Sequence, residues 1–286
     1  MKRVLGILSG VIFLLVLNLT IMPRLSSLHR EVRKESFRIF LSPGLEKWSS
    51  FEFRVMKAFL YTLNLRVYLG KLIEESPVFP PEAETNIIKT AEVVTTINPY
   101  YYDIYYICNG FLTWDFNNAE TANKLLLKAV KYRPKDWFFY FMMGFNYFYF
   151  LHNYEMGGTY IQKAAQIRHS PFLASLAARL MYTSGRTEIA IQMLRSMIRN
   201  IKDENWKKSL SKRLEALEAV LTIQRAVEKF MRNMGRTPVS IEELLEKGFL
   251  QEKLEDPYGG RFYIDEEGNV KTTSNFLPKE GKGEIE

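Results

Sequence analysis

Trp137 to Leu151 reads WFFYFMMGFNYFYFL, fifteen residues without a charge. Fifteen apolar and aromatic residues are too few to cross a bilayer perpendicularly as a helix, which takes about 20. They are enough for four turns of a buried or groove-forming one. Working outward, the stretch lies inside Pro99 to Pro171, which holds 21 of the chain's 40 aromatic residues. Half of the aromatic packing surface is thus confined to about a quarter of the chain. Three helix ends around it share a signature: TTINP closing at Pro99, KAVKYRP at Pro134 and KAAQIRHSP at Pro171. The prolines recur at intervals of 35 and 37 residues. Recurrence near that period predicts tandem helical hairpins, each unable to bury its apolar face until a neighbour stacks on it.

Small residues placed where helices must approach closely strengthen that prediction. In the unit from Trp137, Gly144 and Tyr147 occupy the first helix and Ala164 the second, with a slip of one residue. In the unit from Tyr102, Tyr105, Cys108 and Leu112 take packing positions, with Ala122 and Ala129 on the second helix. A shorter third unit, Ala174 to Arg199, carries Gly185, Ala190 and Leu194. Ala83 to Ile97 reads as the second helix of a preceding unit. Leu45 to Ile73 reads as one long amphipathic helix that caps it, with Trp48, Phe51, Val55, Phe59, Leu63 and Val67 at spacings of three and four. Asn205 to Met234 is a long helix expected to seal the other end, apolar at Leu210, Leu214, Leu217, Val220, Leu221, Ile223 and Val227. Ser240 then caps a short helix, Ile241 to Lys247, with Glu243 at the capping-box position and Gly248 as its stop. Arg261 to Asp265 and Val270 to Thr273 read as a hairpin about the turn Glu267-Gly-Asn.

At the other end, Lys2 and Arg3 precede an uncharged run from Val4 to Met22, and Pro23-Arg24 ends it. Nineteen residues are close to a membrane span, and the exit Asn18-Leu-Thr-Ile-Met-Pro is a poor cleavage site. The run is therefore expected to be an uncleaved signal anchor. The flanking basic residues favour a cytoplasmic body by count. The short charged start followed at once by the apolar run favours an exported one, and the latter is our expectation. The resulting division is 1–24 anchor, 25–44 stalk, 45–204 helical repeats, 205–235 long capping helix, 236–275 helix plus hairpin, and 276–286 tail. The net charge of +7 arises from Lys2 and Arg3 at the start, 30 Lys/Arg against 20 Asp/Glu in 24–235, and 7 against 12 in 236–286. The basic residues are interspersed with acids along helices, which argues against nucleic acid as a partner.

The order of anchor, aromatic-rich helix, degenerate repeats and long helix ends in TPVSIEELLEKGFL and DPYGGRFYIDEEGNV. This order resembles a group of bacterial membrane-anchored tetratricopeptide proteins. The C-terminal segment also resembles that of type II secretion pseudopilins, with a helix, a DP-x-G turn and a hairpin. The resemblance implies a mainly α protein: a transmembrane helix, then an α-solenoid of degenerate tetratricopeptide-like helix pairs, then a small helix and β-hairpin. It implies an envelope location and a scaffold role; with the anchor and exported orientation read above, the expected place is the bacterial inner membrane, single-pass, with the body on the periplasmic face. Some pseudopilin loops bind calcium, for which Asp256, Asp265, Glu266 and Glu267 could supply oxygens; a simple turn with solvated acids is the plainer reading.

No catalytic constellation is legible. His29, His152 and His169 lack a second histidine at ligand spacing, and the single Cys108 sits at a packing position. Gly157-Gly158 and Gly259-Gly260 lack the context of a phosphate loop. We therefore expect no enzyme, no cofactor and no metal. In the repeat family the first helix of each unit lines a groove. The corresponding residues here are Tyr106, Trp114, Phe138, Phe141, Phe145, Phe148 and Tyr182. The aromatics suit a hydrophobic peptide or helix of an envelope protein, such as one of a secretion or pilus assembly. Packing alone could account for many of these rings, and a helix of the chain itself could fill the groove. The alternative is a membrane-surface structural protein whose helix 137–151 lies against lipid.

Overall fold

The computed structural model describes residues 42–75, 78–274 and 276. The span expected at 4–22, the expected stalk to residue 41 and the expected tail from 277 lie outside them. The described chain is mainly helical and divides into two compact units, ending and beginning at Ile104 and Tyr105.

The first unit is built on α1 (Pro43–Ser50), α2 (Arg54–Glu75) and α3 (Pro81–Ile97), with α1 and α2 both packed on α3. Pro43 and Pro81 each open a helix, where a missing N–H costs nothing. The expected single helix Leu45–Ile73 is broken. A 3-10 turn at Phe51–Phe53, with Phe51 at φ 37°, separates α1 from α2. Glu46 in α1 is buried; it pairs with Lys57 and accepts a hydrogen bond from the Tyr61 hydroxyl at 2.8 Å, tying the two helices together. Burial, and then the carboxylate beside it, hold that hydroxyl well above its usual range.

The face of α2 that packs inward also differs from the one expected. Ala58, Thr62, Leu65 and Leu69 are buried, whereas Val55, Phe59, Leu63 and Val67 are exposed. At 100° per residue the two sets are displaced by roughly 110° about the helix axis. The partner explains the choice. α3 presents Ala83, Ile87, Ala91 and Val94, a surface of small and β-branched side chains. The residues α2 buries, Ala58, Thr62, Leu65 and Leu69, are small or aliphatic, with no ring among them.

In the second unit come α4 (Tyr102–Trp114, whose first three residues belong to the first unit), α5 (Ala119–Tyr132), α6 (Trp137–Phe145), α7 (Tyr154–Arg168), α8 (Pro171–Thr183), α9 (Thr187–Ile198) and α10 (Glu204–Met234). From α5 onward each helix packs on the next, and α10 also lies along α8. Loops of three or four residues connect most neighbours, which makes them helical hairpins. Asn118, Asn153, Ser170 and Asp203 cap α5, α7, α8 and α10 by accepting backbone N–H bonds in the first turn. Pro171 opens α8 instead of closing α7, which stops at His169 in the left-handed conformation.

Glycine sets the spacing of α6, α7 and α8. A Cβ on Gly144 would sit 2.7 Å from Ile161 Cγ1 and 2.9 Å from its backbone nitrogen; one on Gly157 would sit 2.8 Å from Phe148 Cβ. Ala164, Ala165, Ala174, Ala177 and Ala178 are buried in the same layers. The core continues through Leu210, Leu217, Val220, Ile223 and Val227 of α10. It ends beneath α11 (Ile241–Glu246) and an antiparallel hairpin of β1 (Phe262–Ile264) and β2 (Val270–Thr272), with Gly268 in the turn. Ser240 caps α11 as expected, but Glu243 reaches past it to accept from Val239 N at 2.8 Å.

Candidate functional site: an aromatic groove with an amide floor

The uncharged run is not one uniform helix. α6 ends at Phe145, and Asn146–Phe150 continue as a π-helical turn closed by Leu151 N on Asn146 O at 3.1 Å. Such a turn inserts an extra residue into the helical register and changes which side chains share a face. Asn146, on the helical stripe of Phe139, Met142 and Met143, points into the interior, while Phe145, Tyr149 and Phe150 gather around Trp114, with ring centroids at 6.4, 5.6 and 5.0 Å.

Along α6 the rings form a continuous wall. Phe138 stacks on Phe141 at 5.9 Å, Phe141 meets Phe145 at 6.3 Å, and Tyr106 of α4 meets Phe138 at 6.2 Å. Each such pair contributes about 0.5–1.5 kcal/mol beyond its buried area. Between this wall and α4 lies a groove of about 470 Å³. Five of the seven residues expected from the sequence line it: Tyr106, Trp114, Phe138, Phe141 and Phe145. Trp114 is 62% exposed and Tyr106 54%, so the groove's rim is open to solvent.

The other two residues lie elsewhere. Phe148 packs edge-on against Phe145 at 5.1 Å and stands against Gly157 of α7. Tyr182 belongs to a different cleft, of about 460 Å³, which α8 shares with the hairpin. Its hydroxyl donates to Val270 O at 2.9 Å and its ring meets Phe276 edge-on at 5.0 Å. Burial pushes the Tyr182 hydroxyl up to about 12. The hairpin covers the place where a third groove position was expected.

The floor of the groove is polar, which the aromatic reading missed. Asn146 Nδ2 donates to Asn109 Oδ1 of α4 at 2.8 Å and to Asn123 Oδ1 of α5 at 2.9 Å. All three amides are buried, and Asn109 and Asn146 border the groove. The cluster pins three helices to one register at the groove's base, because a donor facing two acceptors fits only one alignment. Its signal in the sequence is Asn146 itself, the one amide in WFFYFMMGFNYFYFL. Beside the rings, α6 gives Phe139, Met142 and Met143 to the interior, Met142 also bordering the groove, and Phe139 meets Tyr105 edge-on at 5.5 Å. Cys108 is fully buried, and burial holds its thiol far above its usual range.

The hairpin acids do not gather. Asp256 is buried, accepting from Tyr258 N at 2.9 Å, Ser274 Oγ at 2.6 Å and Thr272 Oγ1. Asp265 pairs with Lys271 at 2.7 Å and caps the turn by accepting from Asn269 N. Among the described residues no three His, Cys, Asp or Glu side chains come together as metal ligands. Nor is any helix among them long and apolar enough to cross a membrane. Compared with known families and characterised proteins, the chain matches no family model and no curated protein.

Proposed function

We propose that the protein is a scaffold of the degenerate tetratricopeptide type, tethered to a membrane by residues 4–22. Its aromatic groove captures an apolar helical or extended segment of an envelope protein during assembly of a larger complex. The observation that carries this reading is the groove itself: six rings on two helices, an open rim at Tyr106 and Trp114, and a rigid amide floor. Aromatic anchors on well-packed helices offer large contact area at small entropic cost, which is what binding hot spots are made of. Asp115 is the one charged residue lining the groove among the described residues, so the favoured segment is apolar with at most a basic flank. Glycine and alanine spacing between α6, α7 and α8 supports the repeat reading, and the hairpin over Tyr182 supports a single groove instead of a continuous concave face.

The test is photo-crosslinking in cells from a benzophenone amino acid at position 145, with position 229, an exposed site on α10, as control. Capture of one envelope protein from 145 and not from 229 supports the groove. Crosslinks from 145 only to this chain's own helices would mean that the rings are internal packing, and the proposal would fall.

A further inference from the structure

α1 and α2 leave most of their apolar surface uncovered. Leu45 and Trp48 on α1, Phe51 and Phe53 in the turn, and Val55, Met56, Phe59, Leu60, Leu63 and Val67 on α2 are all at least 40% exposed. On α2 the six apolar positions span an arc of roughly 140°, adjoining but distinct from the buried face. At typical side-chain sizes those six alone expose on the order of 500 Å². That is comparable to the largest apolar patch of an ordinary monomer before Trp48, Phe51 and Phe53 are added.

Charge on the two helices is nearly balanced, and the basic excess lies just before them. Pro43 to Glu75 carries five Lys/Arg against Glu46, Glu52, Glu74 and Glu75, and Glu46 is buried in its pair with Lys57. Among the described residues Lys47, Arg54 and Lys71 have no ion-pair partner, and Lys71 borders the apolar arc. Residues 23–42 add five more Lys/Arg against two acids. Immediately before them comes the uncharged run 4–22, so 20 residues at most separate the proposed span from α1. Even if fully extended, that linker keeps the face within about 70 Å of the span, and as a helix within about 30 Å.

We infer that the α1–α2 face lies on the surface of an anionic bilayer, rings and aliphatic side chains in the interfacial layer and lysines at the phosphates. A helix with Trp and Phe on one face and unpaired basic residues beside it is what interfacial binding requires. The juxtamembrane basic segment adds attraction to anionic headgroups. The inference rests on the reading of residues 4–22 as a span, and it assigns the lipid contact to α1–α2 and not to helix 137–151.

The test uses the full chain with Cys108→Ala and one new cysteine, Phe59→Cys, Leu63→Cys or Asn64→Cys, each labelled with an environment-sensitive fluorophore. The chains are reconstituted in phosphatidylglycerol-containing vesicles. Expected is quenching by shallow spin-labelled lipid about threefold greater at 59 and 63 than at 64, which lies off the arc, and weaker when phosphatidylcholine replaces phosphatidylglycerol. If the chain floats with the vesicles but 59 and 63 are quenched no more than 64, the inference falls and the span stands. If the chain does not float, both fall. Disulfide-linked dimers of the unlabelled chains through 59 or 63, with labels there shielded from water but not quenched by spin-labelled lipid, would assign the face to a second copy and overturn the lipid contact.

Discussion

Replacing Gly144 with Ala sets two effects of opposite sign against each other. Within a helix, Gly→Ala ordinarily stabilises by about 1 kcal/mol through backbone entropy. At Gly144 the new methyl would sit 2.7 and 2.8 Å from Ile161 Cγ1 and Cδ1, and 2.9 Å from Ile161 N. The side chain can rotate away; the backbone nitrogen cannot, so α6 and α7 must separate by roughly half an ångström. Overpacking of this kind costs about 3 kcal/mol when backbone has to move. The net expectation is a loss of about 2 kcal/mol, or a fall in Tm of about 4–8 °C for a unit the size of Tyr105–Glu286. Gly110, mid-helix in α4, has nothing within 4 Å of its added Cβ. Gly110→Ala should therefore raise Tm by about 2–4 °C. Thermal melts of the full chain followed by tryptophan fluorescence suit the comparison, since Trp114, Trp137 and Trp206 all lie in that unit. A Gly144→Ala chain that melts as high as the Gly110→Ala chain would refute the claim that glycine fixes the α6–α7 distance.

Asn146→Leu removes the donor from two buried amide oxygens, and should cost about 3 kcal/mol in chemical denaturation. Adding Asn109→Leu should cost less than the sum of the singles, because one orphaned acceptor disappears with it. Asp256→Ala should release the hairpin, costing about 3 kcal/mol of local stability, read as faster hydrogen exchange at Val270 and Thr272 while α7 and α8 stay protected. The Lys271 side chain first, then the Asn269 backbone and side chain, hold Asp265 below its ordinary 3.8, at about 2. Its contribution to the hairpin is thus fully present above pH 3.8 and is lost as pH falls towards 2, a change that amide signals of Gly268 and Asn269 should follow. Tyr182→Phe should speed exchange in β2 alone, by the loss of one hydrogen bond of about 1 kcal/mol.

The caps, proline breaks and small-residue spacing were legible because they act within a few residues. Asn98-Pro99 ends α3, Ser240 begins α11, and Gly144 and Ala164 mark close approach wherever their partners lie. The hairpin at 262–272 was legible for the same reason, since period-two alternation and a Glu-Gly-Asn turn are local signals. Of the groove, the rings could be read because aromatics at helical spacing fall on one face. The polar floor could not, because Asn109, Asn123 and Asn146 are 14 to 37 residues apart and a single amide in an apolar run does not name its partners.

The sequence by itself determined that the chain is helical, where most helices begin and end, and which residues are small enough for neighbours to touch. Only the tertiary structure decided which face of an amphipathic helix is inside. On α2 both Val55–Phe59–Leu63–Val67 and Ala58–Thr62–Leu65–Leu69 have helical periodicity, and hydrophobicity favours the first. Packing against the small, β-branched surface of α3 selected the second, because burial rewards fit as well as apolar area. Tyr182 follows the same logic. Its place on a helix is local information, but its cover by the hairpin depends on a contact across 88 residues of chain, which no short-range pattern encodes.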